Sequence, residues 1–254
     1  MHRLNPAMAF MNRFNGYENW VDMAHDERFW NALRLTVIYT GSTVTLQVIL
    51  GLAMAIAISE LRHGQWLMRI IAILPIVLAP VVVGLYFRTL ILTPTFGIFD
   101  YFLVSLGFGS HNWLGNADLA LISVIGIHTW QWTPFAFLVF LAALASLPAD
   151  IYESARIDRA NALKRFWYLT LPLLRPAIMI VIILRITVAL SAFAAIFAAT
   201  GGGPGTATEI LNMYAYRTSF NELQIGYGAA LAVTLMVMTL AITFILFRLR
   251  RREA

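Results

Sequence analysis

The residues best equipped for chemistry lie within apolar stretches, where a polar side chain needs a reason to be. Trp130-Gln131-Trp132-Thr133-Pro134 sets two indoles, an amide and a hydroxyl in consecutive positions. Aromatic rings stack on the apolar faces of sugars and an amide bonds their hydroxyls, so the cluster suits a polar, uncharged solute. Pro134 loosens the backbone that carries it. The competing reading of Trp130 and Trp132 is packing against lipid or neighbouring helices. Arg185 is the one arginine well inside the apolar run from Ala177 to Thr200. A charge at membrane depth costs about 2.5–3.5 kcal/mol on insertion scales, so it must face a cavity or a partner. Three outcomes are open. Its head snorkels to the cytoplasmic surface, it pairs with another subunit, or it contacts a solute that would then be an anionic sugar derivative. His128, beside the same cluster, reads as a buried, bonded histidine and not as a proton relay. Arg88 reads as an interfacial anchor.

Several kinds of chemistry are excluded. The chain has no cysteine, hence no thiolate metal site and no cysteine nucleophile. No His/Asp/Glu cluster and no Ser-His arrangement falls at membrane depth, so neither a metal site nor a catalytic residue is expected. Gly201-Gly202-Gly203-Pro204-Gly205 has neither a strand before it nor Lys-Ser/Thr after it, so it does not cradle phosphates. It ends a helix and opens an irregular loop.

The elements that must position these residues are membrane spans. Of 254 residues, 60% are hydrophobic and 12% charged, too few charges for a surface met only by water. Five stretches are apolar and long enough to cross a bilayer: Ala32–Ser59, Leu67–Leu92, Leu119–Leu147, Ala177–Thr200 and Tyr227–Phe247. The expected fold is all-α, a polytopic membrane helical bundle; the short alternating strands of a membrane barrel are absent. Between these spans Gly97–Gly107 forms a short surface helix with Ile98, Phe102, Leu103 and Leu106 on one face. Trp113 follows as an interfacial anchor.

Basic residues orient the bundle. Arg62 and Arg69 flank the first link, Arg156, Arg159, Lys164, Arg165 and Arg175 the third, and Arg248 to Arg252 follow the last span. All three places lie on one side, which the positive-inside bias makes cytoplasmic. The net charge of +5 therefore reports orientation in a multi-pass protein of the bacterial cytoplasmic (inner) membrane, and no nucleic acid is expected as partner. Segment 1–31 would then be external, with 32–254 the transmembrane domain. That segment carries Arg3, Arg13, Glu18, Asp22, Asp26, Glu27 and Arg28. Such a tail is awkward to translocate without a helix before it, so a further spanning helix is expected to precede this sequence. The alternative is a five-span protein.

The most informative stretch is the cytoplasmic loop 148–176, LPADIYESARIDRANALKRFWYLTLPLLRP with the preceding Leu147. It is compact and half apolar; Pro148 can open a helix, and Glu153 and Arg156 can pair along it. Such an element suits docking into a groove on another protein; the plainer reading is an amphipathic connector resting on lipid headgroups. The stretch resembles the EAA loop of ABC importer permeases: Glu-Ala-Ala, Asp-Gly-Ala, an aromatic, Leu-Pro and a final Pro. Glu153, Ser154, Ala155, Asp158, Ala160, Phe166, Leu171, Pro172 and Pro176 stand at matching spacing. Ser154 replaces an alanine, and Arg159 stands where the family has a glycine that permits a turn of positive φ. Gly16–Trp20, Arg28–Ala32, Leu74-Pro75, Thr200–Gly205 and Tyr216–Phe220 are similar to the carbohydrate-uptake subfamily, of which the maltose-type first permease is representative.

The resemblance implies a permease subunit of type I ABC importer architecture that moves a sugar or sugar derivative. It works with a second permease, two ATPase subunits that bind ATP and Mg, and a periplasmic or lipid-anchored substrate-binding protein. Glu153 would be the charged contact to the ATPase, with Ser154, Ala155, Ile157, Asp158, Arg159 and Ala160 completing the coupling surface. Solute-lining positions would fall on Trp130, Gln131, Trp132, Phe135, Arg185, Ala189 and Ala192. The chain itself needs no cofactor and is not the enzyme of such a complex. The rivals are a secondary transporter, an ABC permease for a non-sugar polar solute, a channel and a membrane enzyme. A secondary transporter needs coupling-ion ligands, and Asp100, Asp118 and Glu209 all lie outside the depths of the spans.

Overall fold

The structure, a computed structural model, describes residues 17–61, 63–157 and 159–251. Among them every regular element is helical. Helix α1 (Glu18–His25) meets α2 (Glu27–Ser59) at Asp26, whose carboxylate accepts from Arg28 N at 2.9 Å and so caps the first turn of α2. The 33 residues of α2 reach about 50 Å at the α-helical rise, more than the roughly 30 Å of a bilayer's hydrocarbon.

The expected second span is not one helix. Helix α3 (Gln65–Val77) stops, and α4 (Pro80–Tyr86) restarts and runs on through a π-helical turn to Ile91. The two are bent by 96°. Pro80 has no N–H to continue the ladder, and its ring drives the residue before it out of the helical region. Leu78 and Ala79 accordingly have ψ of 137° and 136°.

The short helix α5 (Ile98–Ser105) exposes Ile98 and Phe102, and Leu106 is exposed just past its end, while Leu103 of the expected face is half-buried and Asp100 turns inward. Helix α6 (Ala117–Ala145) starts at an Asn116 cap and passes Pro134 without interruption. The 148–176 loop supplies α7 (Ala149–Ile157) and α8 (Ala162–Arg165), and a π-helical turn at Phe166–Thr170 leads into α9 (Leu171–Leu190). Residues Ala162–Leu190 together make one span, nearer the loop than the expected Ala177–Thr200. The chain breaks at Ser191–Phe193 and resumes as α10 (Ala194–Ala199). Helix α11 (Leu211–Tyr216), a last π-helical turn and α12 (Ile225–Arg251) complete the chain.

Helices α2, α6 and α9 form the centre. At Gly51 a Cβ would lie 2.6 Å from Ala136 Cβ, so glycine is what lets α2 and α6 close on each other. Leu52, Ala55, Phe137, Phe140, Leu174 and Val181 fill one half of this seam; Tyr39, Val124, Ile127, Ile196 and Met213 fill the other. The two fragments made by the breaks pack together. A Cβ on Gly84 of α4 would sit 2.5 Å from the carbonyl of Ala195 in α10. Helix α3 buries no residue within the chain, and its exposed leucines, isoleucines and valine need lipid or a partner helix as solvent.

Candidate functional site

A polar cluster lies between α2, α6 and α9. Tyr39 and Gln47, eight residues apart on α2, share a face. His128, Trp132 and Phe135 enter from α6, and Arg185 from α9. Arg185 is 1% exposed. Its Nε donates to Gln47 Oε1 at 2.8 Å and its Nη2 to His128 Nε2 at 3.3 Å. The guanidinium lies 4.4 Å from the Trp132 ring centre and 5.9 Å from that of Phe135. A guanidinium only donates, so His128 Nε2 must be bare and the imidazole proton sits on Nδ1, donated to the Tyr39 oxygen at 2.5 Å. Gln47 Nε2 donates to the His128 carbonyl at 3.3 Å, tying the amide to α6. No acidic side chain among the described residues pairs with Arg185. The charge is met by an amide oxygen, an imidazole lone pair and an aromatic face.

The structure therefore brings Trp132, Phe135 and Arg185 together, and Ala189 lies buried one turn beyond the arginine. It separates the others. Trp130 is 41% exposed and packs edge-on to Phe87 at 5.2 Å. Gln131 donates through Nε2 to the carbonyl of Leu78 at 3.0 Å, where the α3–α4 break leaves that carbonyl without a helical partner. Its Oε1 is buried with no partner. Ala192 lies past the end of α9, and its carbonyl accepts from Asn212 at 3.4 Å. Gln47 and Tyr39 were not singled out from the sequence. Their signal was a stripe on an apolar helix, Thr36, Thr40, Thr43 and Gln47 at helical spacing, all buried.

In the 148–176 loop, where coupling residues were expected, Glu153 is exposed on α7, Ser154 Oγ donates back to the Asp150 carbonyl at 2.9 Å, and Ala155 is buried. Ile157 ends the helix and Asp158 lies outside the described residues. Arg159 adopts φ of 54°, the left-handed conformation expected of a glycine there, and Ala160 N donates to the Ala155 carbonyl at 2.9 Å. That bond closes a helix end of the Schellman type, with Ala160 half-buried beyond it. Tyr152 and Thr170 hydroxyls, 3.0 Å apart, fasten α7 to the root of α9.

At the opposite end, Glu209 in the 201–210 loop is fully buried and binds two arginines. Arg28 Nε and Nη2 each donate to it at 2.8 Å, as does Arg217 Nη1. Arg28 also reaches Glu222 at 2.6 Å. Burial raises the Glu209 carboxyl's affinity for a proton, but the Arg28 and Arg217 bonds outweigh it and hold the pKa below its ordinary value. Asp26 behaves alike: burial opposes ionisation, and bonds from Tyr214 and Tyr227 outweigh it. Asp100 is pulled down by donors from Ser110 Oγ and His111 N, with Thr95 N and Trp113 Nε1 adding to them and burial opposing. Trp113, expected as an interfacial anchor, thus helps to organise the 93–116 loop through Asp100.

Four helices long and apolar enough to cross a membrane, with a fifth crossing bent at Leu78–Ala79 and a second break at Ser191–Phe193, describe a multi-pass membrane protein, and its family places it among the transport permeases of the inner membrane. More narrowly, it belongs to the family of binding-protein-dependent transport system inner membrane components, which it matches over residues 32–253. It is 40% identical over 230 residues to the probable ABC transporter permease protein y4oQ of Sinorhizobium fredii, covering 91% of this chain and 74% of that one. It is 33% identical over 238 residues to the trehalose/maltose transport system permease protein MalF of Thermococcus litoralis, covering 94% and 80%. Its fold matches a chain of a bacterial ABC transporter involved in the import of the acidic polysaccharide alginate, with TM-score 0.85 at 23% identity, over 96% of this chain and 86% of that one.

Proposed function

We propose that this chain is one permease subunit of an ATP-driven importer that moves a sugar or sugar derivative into the cell. Similarity to a trehalose/maltose permease supports the substrate class. The coupling element carries the mechanism: Glu153 stands exposed on a short helix whose end is sealed by Arg159 and whose flank is fastened to the α9 span by Tyr152. A push on α7 is therefore delivered to the root of a span that carries Arg185. Two ATPase subunits supply that push from the cytoplasm, a second permease completes the pathway, and a substrate-binding protein delivers solute from outside. Segment 17–31 and the loops 93–116 and 201–224 face outward, and the Arg28–Glu209 and Arg28–Glu222 pairs bind two of these together.

The solute path runs by Trp132 and Phe135, whose half-buried rings suit the apolar face of a sugar. Arg185 and Ala189 lie behind them, so the arginine holds the Trp132 ring in place and meets solute only if that ring swings aside. Gln131 and Trp130 reach the path through the α3–α4 break, and Ala192 marks its outer end. A secondary transporter is the less favoured reading, because no carboxylate among the described residues lies deep within a span. Glu153→Lys in the reconstituted importer should abolish ATP-dependent uptake of labelled maltose or trehalose and uncouple ATP hydrolysis from the binding protein. Unchanged uptake would overturn the coupling assignment.

A further inference from the structure

Between the coupling element and the bundle lies a cavity of about 1000 Å³. It is bounded by the ends of α2 and α6, the start of α3, and the α7–α8 element. Much of its lining is apolar, with Leu138 and Leu141 of α6 and Phe166 of the π-helical turn among the residues that form it. Its rim carries two guanidinium groups, Arg69 and Arg165, and one carboxylate, Glu60. Arg69 donates only to Gln65 Oε1, at 3.2 Å, and neither arginine pairs with an acidic side chain among the described residues. Among the described residues, two cations with no ion pair of their own thus line a largely apolar slot beside one carboxylate. Trp66 on α3 and Trp167 on the π-helical turn, each next in sequence to a lining residue, are 67% and 56% exposed. Exposed indoles at the ends of spans sit at headgroup depth. A phosphodiester above an acyl chain presents the same arrangement, with the anion outward and the hydrocarbon inward.

We propose that this cavity binds an anionic phospholipid of the cytoplasmic leaflet, its phosphate between Arg69 and Arg165 and the first carbons of a chain against Leu138 and Leu141. The lipid then stands between α3 and the element that receives the ATPase, and its presence sets how firmly α7 and α8 rest on the bundle. Basic pockets between membrane helices on the cytoplasmic side are a recurrent means of holding such headgroups. The proposal rests on the orientation argued above, since the other leaflet would face a different lipid.

The test uses the complete importer in nanodiscs of phosphatidylcholine and phosphatidylglycerol in equal amounts, with retained lipid read by native mass spectrometry. Wild type should keep phosphatidylglycerol in preference to phosphatidylcholine. R69Q/R165Q should hold it about tenfold more weakly, the effect of losing charge-assisted bonds worth about 1.4 kcal/mol. Leu141→Trp, which fills the slot and leaves both arginines, should also release it. Equal retention in wild type and R69Q/R165Q would overturn the proposal. So would displacement of the lipid by inorganic phosphate, which would make the ligand a soluble anion, or occupation of the slot by a segment of the ATPase. Lipid retention is read without sugar or ATP, so its failure leaves the transport reading standing, and a failure of uptake leaves this one.

Discussion

Among the described residues Arg185 has no carboxylate to neutralise it, and what holds it is the number of groups that accept from it or face it. Gln47 Oε1, His128 Nε2 and the Trp132 ring surround the guanidinium. Removing the arginine alone strands an amide oxygen and an imidazole nitrogen in a buried site, and an unmet buried acceptor costs about 1–3 kcal/mol. Arg185→Leu should therefore lower the thermal stability of the purified complex by about 2 kcal/mol, and Gln47→Leu added to it should restore part of that loss. If the double variant is less stable than the single one, the arginine is not the partner that Gln47 serves. Arg159 presents the reverse case. Its φ of 54° costs a side-chain-bearing residue about 1–2 kcal/mol, which a glycine avoids. Arg159→Gly should raise stability by about 0.5–1 kcal/mol, the glycine's extra freedom in the unfolded chain absorbing the rest. A fall in melting temperature would mean that the arginine makes a contact worth more than its backbone strain.

At the scale of elements, the spans were legible because hydropathy over a long window reports burial in lipid. The breaks were not, because a window averages over the two residues where the path turns. The turn before Pro80 could be read from the restriction that proline imposes, yet the 96° bend also depends on Gln131, fifty-three residues away, accepting the task of capping Leu78. The sequence marked Gln131 for a sugar's hydroxyls because an amide in a span must bond something; only the fold shows that half of it bonds the break. The fourth span was shifted for a related reason: Ala162–Leu190 is continuous although Pro172 stands in the first turn of α9 and Pro176 inside it, where a window of hydropathy gives no sign of whether the helix survives a proline. The bend's dependence on Gln131 can be measured directly, since the chain has no cysteine to remove. Spin labels on cysteines introduced at Met68 and Leu90 should report one narrow distance in the parent protein and a broadened one in Gln131→Leu. An unchanged distribution would leave proline alone responsible for the angle.

Over the whole molecule, charges at the end opposite α7 join parts that no local pattern connects. Arg28 and Glu209 are 181 residues apart, and Asp26 meets Tyr214 and Tyr227 at separations of 188 and 201. Spacing rules reach only a few residues, so the sequence placed these groups on one side of the membrane and could not pair them. The pairing makes α1, the start of α2 and the 201–224 segment with its helix α11 a single cap against α12. Both carboxyls are held below their ordinary values of 3.8 for Asp26 and 4.5 for Glu209. Their contribution to stability is therefore complete above those values and is lost as pH falls through the lowered ones. Hydrogen exchange in segment 17–31 should show no opening of the cap as the pH is lowered from neutral to 4.5, and a steep rise only below it. Glu209→Gln should open the cap at neutral pH. The arginine side chains that flank Glu209 are about a third exposed, 31% for Arg28 and 28% for Arg217, so water screens part of the loss. The remaining cost is about 1–2 kcal/mol, near a tenfold rise in exchange. If exchange in 17–31 is the same in Glu209→Gln as in the parent, the cap is held by the apolar contacts of Met23 and Phe29 with Leu211 and Leu231, and the ion pairs serve only to select its register.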